Sequence, residues 1–370
     1  MIDDAVPGAS SLRVLHVDSA PSWRGGQNQV LLSAAGMARL GHDVTLVCRR
    51  GGALAERARR AGLDVAEVSF RGGDVAPGSA LSLARLIRAK RPDVLHMHDP
   101  HAIAVGLMAR LLAGSGAATI ATRRVDFRVR GMLSRLKYRS CGRVVAVSQA
   151  IVDVLVADGV PGQQIRLVHE GVQERDPLPG GADALRQLGV PEGAPVVGVV
   201  AALTGHKDHE TLLAAARLVI AQRPEAYFVL AGDGELRAAL EAQAAELGIA
   251  AQCIFAGFRN DLDRLMPAFS VFCLSSRLEG LGTSLLDAMC FRRAVVVTAA
   301  GGIPEVVVDG VTGRVVPVRD PHALAEALLE VLADPIRQDR MGAAGRRRFE
   351  ERFSAERMLE GTLAVYHGLL

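Results

Sequence analysis

The run Val271-Phe272-Cys273-Leu274-Ser275-Ser276-Arg277-Leu278-Glu279-Gly280-Leu281-Gly282-Thr283-Ser284-Leu285-Leu286-Asp287-Ala288-Met289 passes from four apolar residues, through a glycine-bearing loop, into an apolar helical pattern. A strand that feeds a helix through such a loop makes an anion site. The first backbone N–H groups of the helix lack partners and have the positive end of the helix dipole behind them. Two carboxylates eight residues apart flank that site, Glu279 in the loop and Asp287 about one turn into the helix. Carboxylates accept hydrogen bonds from hydroxyls, so phosphate-binding amides between two hydroxyl acceptors describe a ligand that is both phosphate and sugar. Taken without its flanks, the same run reads as a solvated helix start with Thr283 as N-cap.

Outward from this run, short β-like stretches alternate with helical ones along almost the whole chain. In the first half the β-like stretches are 13–17, 43–47, 65–68, 94–97, 118–121, 143–147 and 165–168, with helical patterns at 29–39, 80–89, 102–112 and 150–158. Pattern is lost across Gln173-Glu174-Arg175-Asp176-Pro177-Leu178-Pro179-Gly180-Gly181, where Pro, Gly and charge without periodicity predict a linker. A second series follows, with strands at 196–200, 227–230, 253–256, 271–274, 294–298 and 313–316 and helices at 209–220, 236–247, 283–291 and 323–332. Such alternation predicts βαβ units and parallel sheets buried on both faces. The expected fold class is therefore α/β, with two doubly wound Rossmann-like domains over 1–172 and 173–354. Ligand is expected at strand C-terminal ends, in the cleft between the domains. The last segment, 355–370, reads as an amphipathic helix beyond the second series.

Composition agrees with this plan. A chain of 370 residues has room for two domains of ordinary size, and 49% hydrophobic against 4% aromatic residues predicts aliphatic cores. The opening Met1-Ile2-Asp3-Asp4 is acidic and carries no apolar core, so no secretory signal is expected. No apolar run approaches the ~18 to 20 residues of a membrane span. Cys48, Cys141, Cys253, Cys273 and Cys290 form no CxxC pair and read as reduced, buried thiols of a cytoplasmic protein. A net charge of +3 is too slight to point to nucleic acid. Charge is uneven, however: Arg123, Arg124, Arg128, Arg130, Arg135, Lys137, Arg139 and Arg143 stand against the single acid Asp126. The cluster suits an anionic membrane surface, a phosphorylated acceptor or a solvated face.

Other motifs lie at the ends of predicted strands. After the first strand, Trp23-Arg24-Gly25-Gly26-Gln27-Asn28 places a glycine pair at a strand-to-helix turn, where backbone can approach phosphate or sugar closely. Leu95-His96-Met97-His98-Asp99-Pro100-His101 invites a metal reading, yet its spacing departs from HxHxDH and no second ligand cluster appears, so no metal is expected. Lys207, in Leu203-Thr204-Gly205-His206-Lys207-Asp208, is a point charge suited to phosphate. Asp261-Leu262-Asp263 is formally a DxD run, but it opens a predicted helix and is taken as accidental. Gly301-Gly302-Ile303-Pro304-Glu305 is a further glycine turn, with Pro in the first turn of a helix.

The Gly25-Gly26 loop, the His98 strand end, Lys207 and the Glu279-to-Asp287 run together resemble the GT4 family of retaining glycosyltransferases of GT-B fold. Its Glu-x7-Glu signature stands here with Asp287 in second place. The resemblance implies transfer of a sugar from a nucleoside diphosphate donor, UDP or GDP, to an acceptor hydroxyl of a glycolipid or saccharide, as in cell-envelope synthesis. It implies no cofactor and no metal. The first domain would carry the acceptor side and the second the donor, with 355–370 crossing back onto the first. His98 and Glu279 would be the catalytic pair, His98 facing the sugar and His96 on the opposite side of its strand. Gly25, Gly26, Lys207, Gly282, Thr283, Ser284, Asp287 and Glu305 would bind the donor. Arg123, Arg124, Arg128 and Arg130 would serve the acceptor or the inner face of the plasma membrane. One departure is Ala202, where the family places the arginine of its diphosphate clamp. A nucleotide-sugar epimerase of the same fold and a non-catalytic nucleotide-sugar binder are the alternative readings.

Overall fold

The computed structural model describes residues 11–70, 76–129 and 131–370. The acidic opening Met1-Ile2-Asp3-Asp4 and Arg130 therefore lie outside the described residues. The chain divides into two compact units, one running to Gln173 and joined by Ala355–Leu370, the other Glu174–Ser354.

The first unit is built on seven strands: β1 (Arg13–Asp18), β2 (Asp43–Arg49), β3 (Asp64–Val68), β4 (Val94–Met97), β5 (Ala118–Arg123), β6 (Arg143–Ala146) and β7 (Ile165–Leu167). They form one parallel sheet in the order β3-β2-β1-β4-β5-β6-β7, so strand order reverses between β1 and β4. In a doubly wound sheet that switch point opens a crevice beyond the strand C-termini, where ligands bind. The helix Ala355–His367 returns to this unit. Leu359 packs onto Gly36 of the helix Gly25–Arg39, the Ala355 N–H donates to Val172 O at 2.9 Å, and the Tyr366 hydroxyl meets His96 Nδ1 at 2.7 Å.

The second unit has six strands, β8 (Val196–Val200), β9 (Tyr227–Ala231), β10 (Cys253–Gly257), β11 (Val271–Leu274), β12 (Ala294–Thr298) and β13 (Gly313–Val316). They make a parallel sheet in the order β10-β9-β8-β11-β12-β13, whose switch point falls between β8 and β11. The loop after β8, which carries Lys207, and the loop after β11, which carries Glu279, leave the sheet at that point. All five cysteines are free and buried. Among the described residues, no helix is long and apolar enough to cross a membrane.

Every strand expected from sequence is present, because strands buried on both faces read as plain Val/Ile/Leu runs. Helix ends differ more. The first helix starts at Gly25 and not near 29, so the glycine pair is its first turn and not a loop before it. An 18-residue helix, Pro335–Arg352, buries only Met341, Gly342, Gly345 and Phe349. Two of those four are glycines, which leaves almost no apolar periodicity to read.

Packing around β8 and β11 is tight enough to test. A Cβ placed on Gly198 of β8 would stand 1.9 Å from the fully buried Phe269 ring. Gly198→Ala must push that ring aside, and overpacking of this severity costs about 3 kcal/mol. Urea unfolding of the variant checks this, and a loss below about 1 kcal/mol would contradict the packing described.

Candidate functional site

In the second unit, the loop after β11 is stitched to the loop after β8. The Arg277 N–H donates to His206 O at 2.8 Å, Arg277 Nη2 to Gly205 O at 2.5 Å, and Ser275 Oγ to Lys207 O at 3.0 Å. Across this seam the Lys207 ammonium and the Glu279 carboxylate form an ion pair, their side chains only 15% and 12% exposed. Ser276 Oγ donates to the same carboxylate oxygen at 3.0 Å. The Gly302 N–H donates to Glu279 O at 3.1 Å, which ties the turn bearing Glu305 to this loop.

The helix Thr283–Cys290 begins beside that pair. Its N-cap is Gly282, at φ +89° and ψ 70°, a left-handed conformation that glycine takes without steric cost. The alternative of a solvated helix start with Thr283 as N-cap does not hold: Thr283 is the first helical residue, and no side chain caps the helix. Uncapped first-turn amides at Thr283 and Ser284, with no acidic residue in that turn, leave the positive end of the helix open to an anion.

Asp287 lies one turn further along. It is held by Arg175, whose Nη2 donates to Asp287 Oδ1 and whose Nη1 donates to Asp263 Oδ1 at 2.5 Å. Burial raises the Asp287 carboxyl to about 6; Arg175 opposes the rise and Asp263 adds to it. The Ala202 position is exposed, and its carbonyl accepts from His209 Nε2 at 3.1 Å. Gly232 lets the turn after β9 press against this segment, since a Cβ there would lie 1.8 Å from Ala201 O.

In the first unit, Gly25, Gly26, His98 and Arg124 converge at the ends of β1, β4 and β5. Arg124 Nε donates to Glu170 Oε1 at 2.9 Å, in a pair 16% and 9% exposed, and the Arg124 side chain passes beneath Gly26. Its Nη1 and Nη2 each lie 3.3 Å from His98 Nδ1. A guanidinium only donates, so His98 Nδ1 is an acceptor and its proton sits on Nε2. That Nε2 faces His16 Nδ1 at 2.8 Å and donates to it. Asp18, buried at the end of β1, accepts from the Ala20 N–H and from Gln27 Nε2. Burial first, and then the charge of Asp99, raise the Asp18 carboxyl to about 6.

Several expectations change here. His96 does not point away from His98. Residues two apart in a strand share a face, and the two rings lie 4.2 Å apart. His16, His96 and His98 bring ring nitrogens within 4.8 Å of one another, a geometry that could hold a metal ion. The donor set does not fit one. His96 is engaged on both nitrogens, by Tyr366 and by Thr122 Oγ1 at 2.6 Å, and the lone pair of His98 faces a cation. Asp99 caps the helix Pro100–Ala113, accepting from the His101 and Ala102 N–H groups, and also holds Ser19.

Arg123 is 6% exposed, bonded to the Tyr138 hydroxyl at 3.1 Å and to Phe127 O, so it is no surface cation. Arg124 belongs to the His98 network. Arg128 remains at the surface, 3.5 Å from the buried Asp158. Asp18, Glu170 and Arg175 were not anticipated. Asp18 closes a strand beside a glycine loop and was open to reading. Glu170 and Arg175 meet partners 46 and 112 residues away and carry no local signal.

Each unit is thus a doubly wound parallel sheet with charged groups gathered at its switch point, as in glycosyltransferases of GT-B architecture. The structure is similar to an Anabaena protein, Alr3699/HepE, crystallised with UDP and glucose, at a TM-score of 0.87 and 19% identity over 97% of this chain and 100% of the other. A family model described as glycosyltransferase family 4 matches residues 23–175, and one described as glycosyl transferases group 1 matches 182–348. The chain belongs to the GT4-type glycosyltransferase family. It is 32% identical over 182 residues to a GDP-mannose-dependent phosphatidylinositol monomannoside mannosyltransferase of Corynebacterium glutamicum, covering 47% of this chain and 48% of that protein. It is 31% identical over 260 residues to the alpha-maltose-1-phosphate synthase of Mycolicibacterium smegmatis, covering 65% of this chain and 66% of that protein. The matched region spans about half to two thirds of these relatives' own length.

The histidine cluster sets a pH dependence. Burial, and next the Arg124 charge, lower His16 to about 3 from its ordinary 6.5, and burial holds His96 and His98 well below 6.5. Below pH 6.5 the unfolded chain takes up protons that the folded chain refuses. The stability held by neutral histidines is therefore complete above that pH and declines as pH falls. Thermal melts from pH 7.5 down to 4.5 should show a falling Tm, with a shallower fall for His16→Gln. An equal slope for wild type and variant would contradict this reading.

Proposed function

We propose that this protein is a metal-independent, retaining glycosyltransferase that moves a sugar from a nucleoside diphosphate donor to an acceptor hydroxyl in cell-envelope glycolipid or polysaccharide synthesis. The observation that carries the reading is the Lys207–Glu279 ion pair beside the uncapped start of the helix Thr283–Cys290. A cation and open amides are aimed at one place, where a departing diphosphate gathers negative charge. The carboxylate next to them can take the hydroxyls of the sugar being released. In this reading the diphosphate displaces Glu279 from Lys207, and Glu279 turns to the sugar. Preorganised donors of this kind are usually the largest catalytic contribution, because they need no reorganisation as charge develops.

The other residues take supporting parts. Asp287 accepts from the ribose, and Glu305 lies on the turn tied to the Glu279 loop. Gly25 and Gly26 open the first-unit helix toward the substrate. His98 acts through its position: its Nδ1 lone pair is turned to Arg124, which makes it an orienting group and not a proton acceptor. The UDP and UDP-glucose complexes of the structurally similar Anabaena protein support a nucleotide sugar as donor. Relatives named as transferases and synthases support transfer over epimerisation.

Glu279→Gln keeps the size of the side chain and removes its charge. Transfer from a panel of radiolabelled UDP-, GDP- and ADP-sugars should fall by about a hundredfold or more, with Tm held near wild type. Turnover within about threefold of wild type would overturn the role given to Glu279.

Peripheral contact with the inner face of the plasma membrane is a second part of the proposal, carried by a separate observation. On and before the helix Met132–Arg139, Phe127, Met132, Leu133 and Leu136 are 49%, 82%, 79% and 56% exposed. Arg128, Arg135 and Arg139 are exposed alongside them. An apolar edge flanked by cations suits the boundary between anionic headgroups and acyl chains. The protein should float with phosphatidylglycerol vesicles and not with phosphatidylcholine vesicles, and the double variant Leu133→Glu, Leu136→Glu should stay in solution. Equal partitioning of wild type and variant would count against membrane contact.

A further inference from the structure

Arg175 belongs to no motif, yet its guanidinium is bonded directly to Asp287. It stands two residues past Gln173, where the chain enters the second unit. From there its side chain spans two carboxylates of that unit, bonded through Nη2 to Asp287 Oδ1 and through Nη1 to Asp263 Oδ1. Its guanidinium lies over the Phe291 ring at 5.4 Å, and its backbone carbonyl accepts from Cys290 Sγ at 3.7 Å. The neighbouring Glu174 pairs with Arg346, whose Nη1 donates to Cys290 O at 2.6 Å. The segment is thus fastened to the C-terminal end of the helix that carries Asp287.

Asp287 is one methylene shorter than the glutamate of the family signature, so it has less reach and fewer ways to turn. Fixing one of its oxygens to a rigid guanidinium sets where the other points, because a carboxylate offers lone pairs on both oxygens. We propose that Arg175 is a positioning residue for the nucleotide ribose: bridged between Asp263 and Asp287, it fixes Oδ1 of Asp287 so that Oδ2 presents to a ribose hydroxyl. This rests on the donor reading above, in which Asp287 meets the ribose. Burial and the Asp263 charge both push the Asp287 carboxyl upward while Arg175 opposes them, so Arg175 also keeps the carboxylate ionised between its neighbours. The DxD run taken from sequence as accidental acquires a purpose through Asp263, which anchors the far side of the guanidinium.

The test compares two ligands that differ by one hydroxyl, UDP and 2′-deoxy-UDP, or the GDP pair if the protein prefers guanine. Calorimetry on wild type should show the ribonucleotide bound about tenfold more tightly, the value of a hydrogen bond to a charged acceptor. In Arg175→Gln that preference should shrink to about twofold, with affinity for the deoxynucleotide nearly unchanged and the donor KM raised more than kcat is lowered. Arg175→Lys should restore part of the preference. Asp263→Asn, which removes the other anchor, should reduce it in the same sense and serves if Arg175→Gln fails to fold. An unchanged ribo-to-deoxy ratio in a folded variant, or an equal loss for both ligands, would overturn the proposal. Failure of wild type to bind any nucleoside diphosphate would instead overturn the donor reading on which it rests.

Discussion

One ion pair, Lys207 Nζ to Glu279 Oε2, joins the two loops that leave the second sheet at its switch point. The pair draws a cation and an anion together at a site with little solvent exposure, where isolated charges are costly and each needs the other. The bonds from Arg277 and Ser275 hold the backbones at the distance the pair requires. The left-handed turn at Gly282 then starts a helix beside them with its first amides unoccupied. A diphosphate offers Lys207 a stronger partner than Glu279, and the freed carboxylate suits hydroxyls. Under the proposed function the pairing is a ground state that donor binding would rearrange.

The first unit solves a different problem. Three histidines, buried and neutral, lie against a single arginine that Glu170 fixes in place. Donor and acceptor directions run one way, from Arg124 to His98 to His16, which gives the His98 and His16 rings a defined tautomer. Such a chain orients the His98 ring strongly and takes part in no proton transfer in its resting arrangement. The helix Ala355–His367 closes the network through Tyr366, so the last residues of the chain help to set the geometry of a strand end near residue 98.

How far the sequence was legible follows from the range of the interactions. Strands buried on both faces announce themselves as apolar runs, and the thirteen strands matched expectation. The helix Pro335–Arg352 hid behind its charge because glycines, and not large apolar residues, make half of its buried face. Lys207 and Glu279 could be singled out because each sits in a compact local pattern, and the fold brings them together as an ion pair. Arg175, Asp263 and Glu170 were not, since their meaning depends on partners brought near only by the folded chain. The basic run near 123–143 shows the opposite failure. Its residues look alike in sequence, but Arg123 is interior, Arg124 orients a histidine, and Arg128 stays at the surface. The vacancy at Ala202 is also informative. The family's second diphosphate cation is absent at that place, so under the proposed function Lys207 and the helix amides would hold the phosphates.

Calorimetric titration of wild type and Lys207→Met with UDP, GDP and ADP tests most directly whether Lys207 exchanges Glu279 for a diphosphate. One of the three should bind wild type with one-to-one stoichiometry, and the variant should lose that affinity by about a hundredfold, as expected for loss of a charge-assisted contact. Binding of equal strength to wild type and Lys207→Met, with both proteins folded, would contradict it.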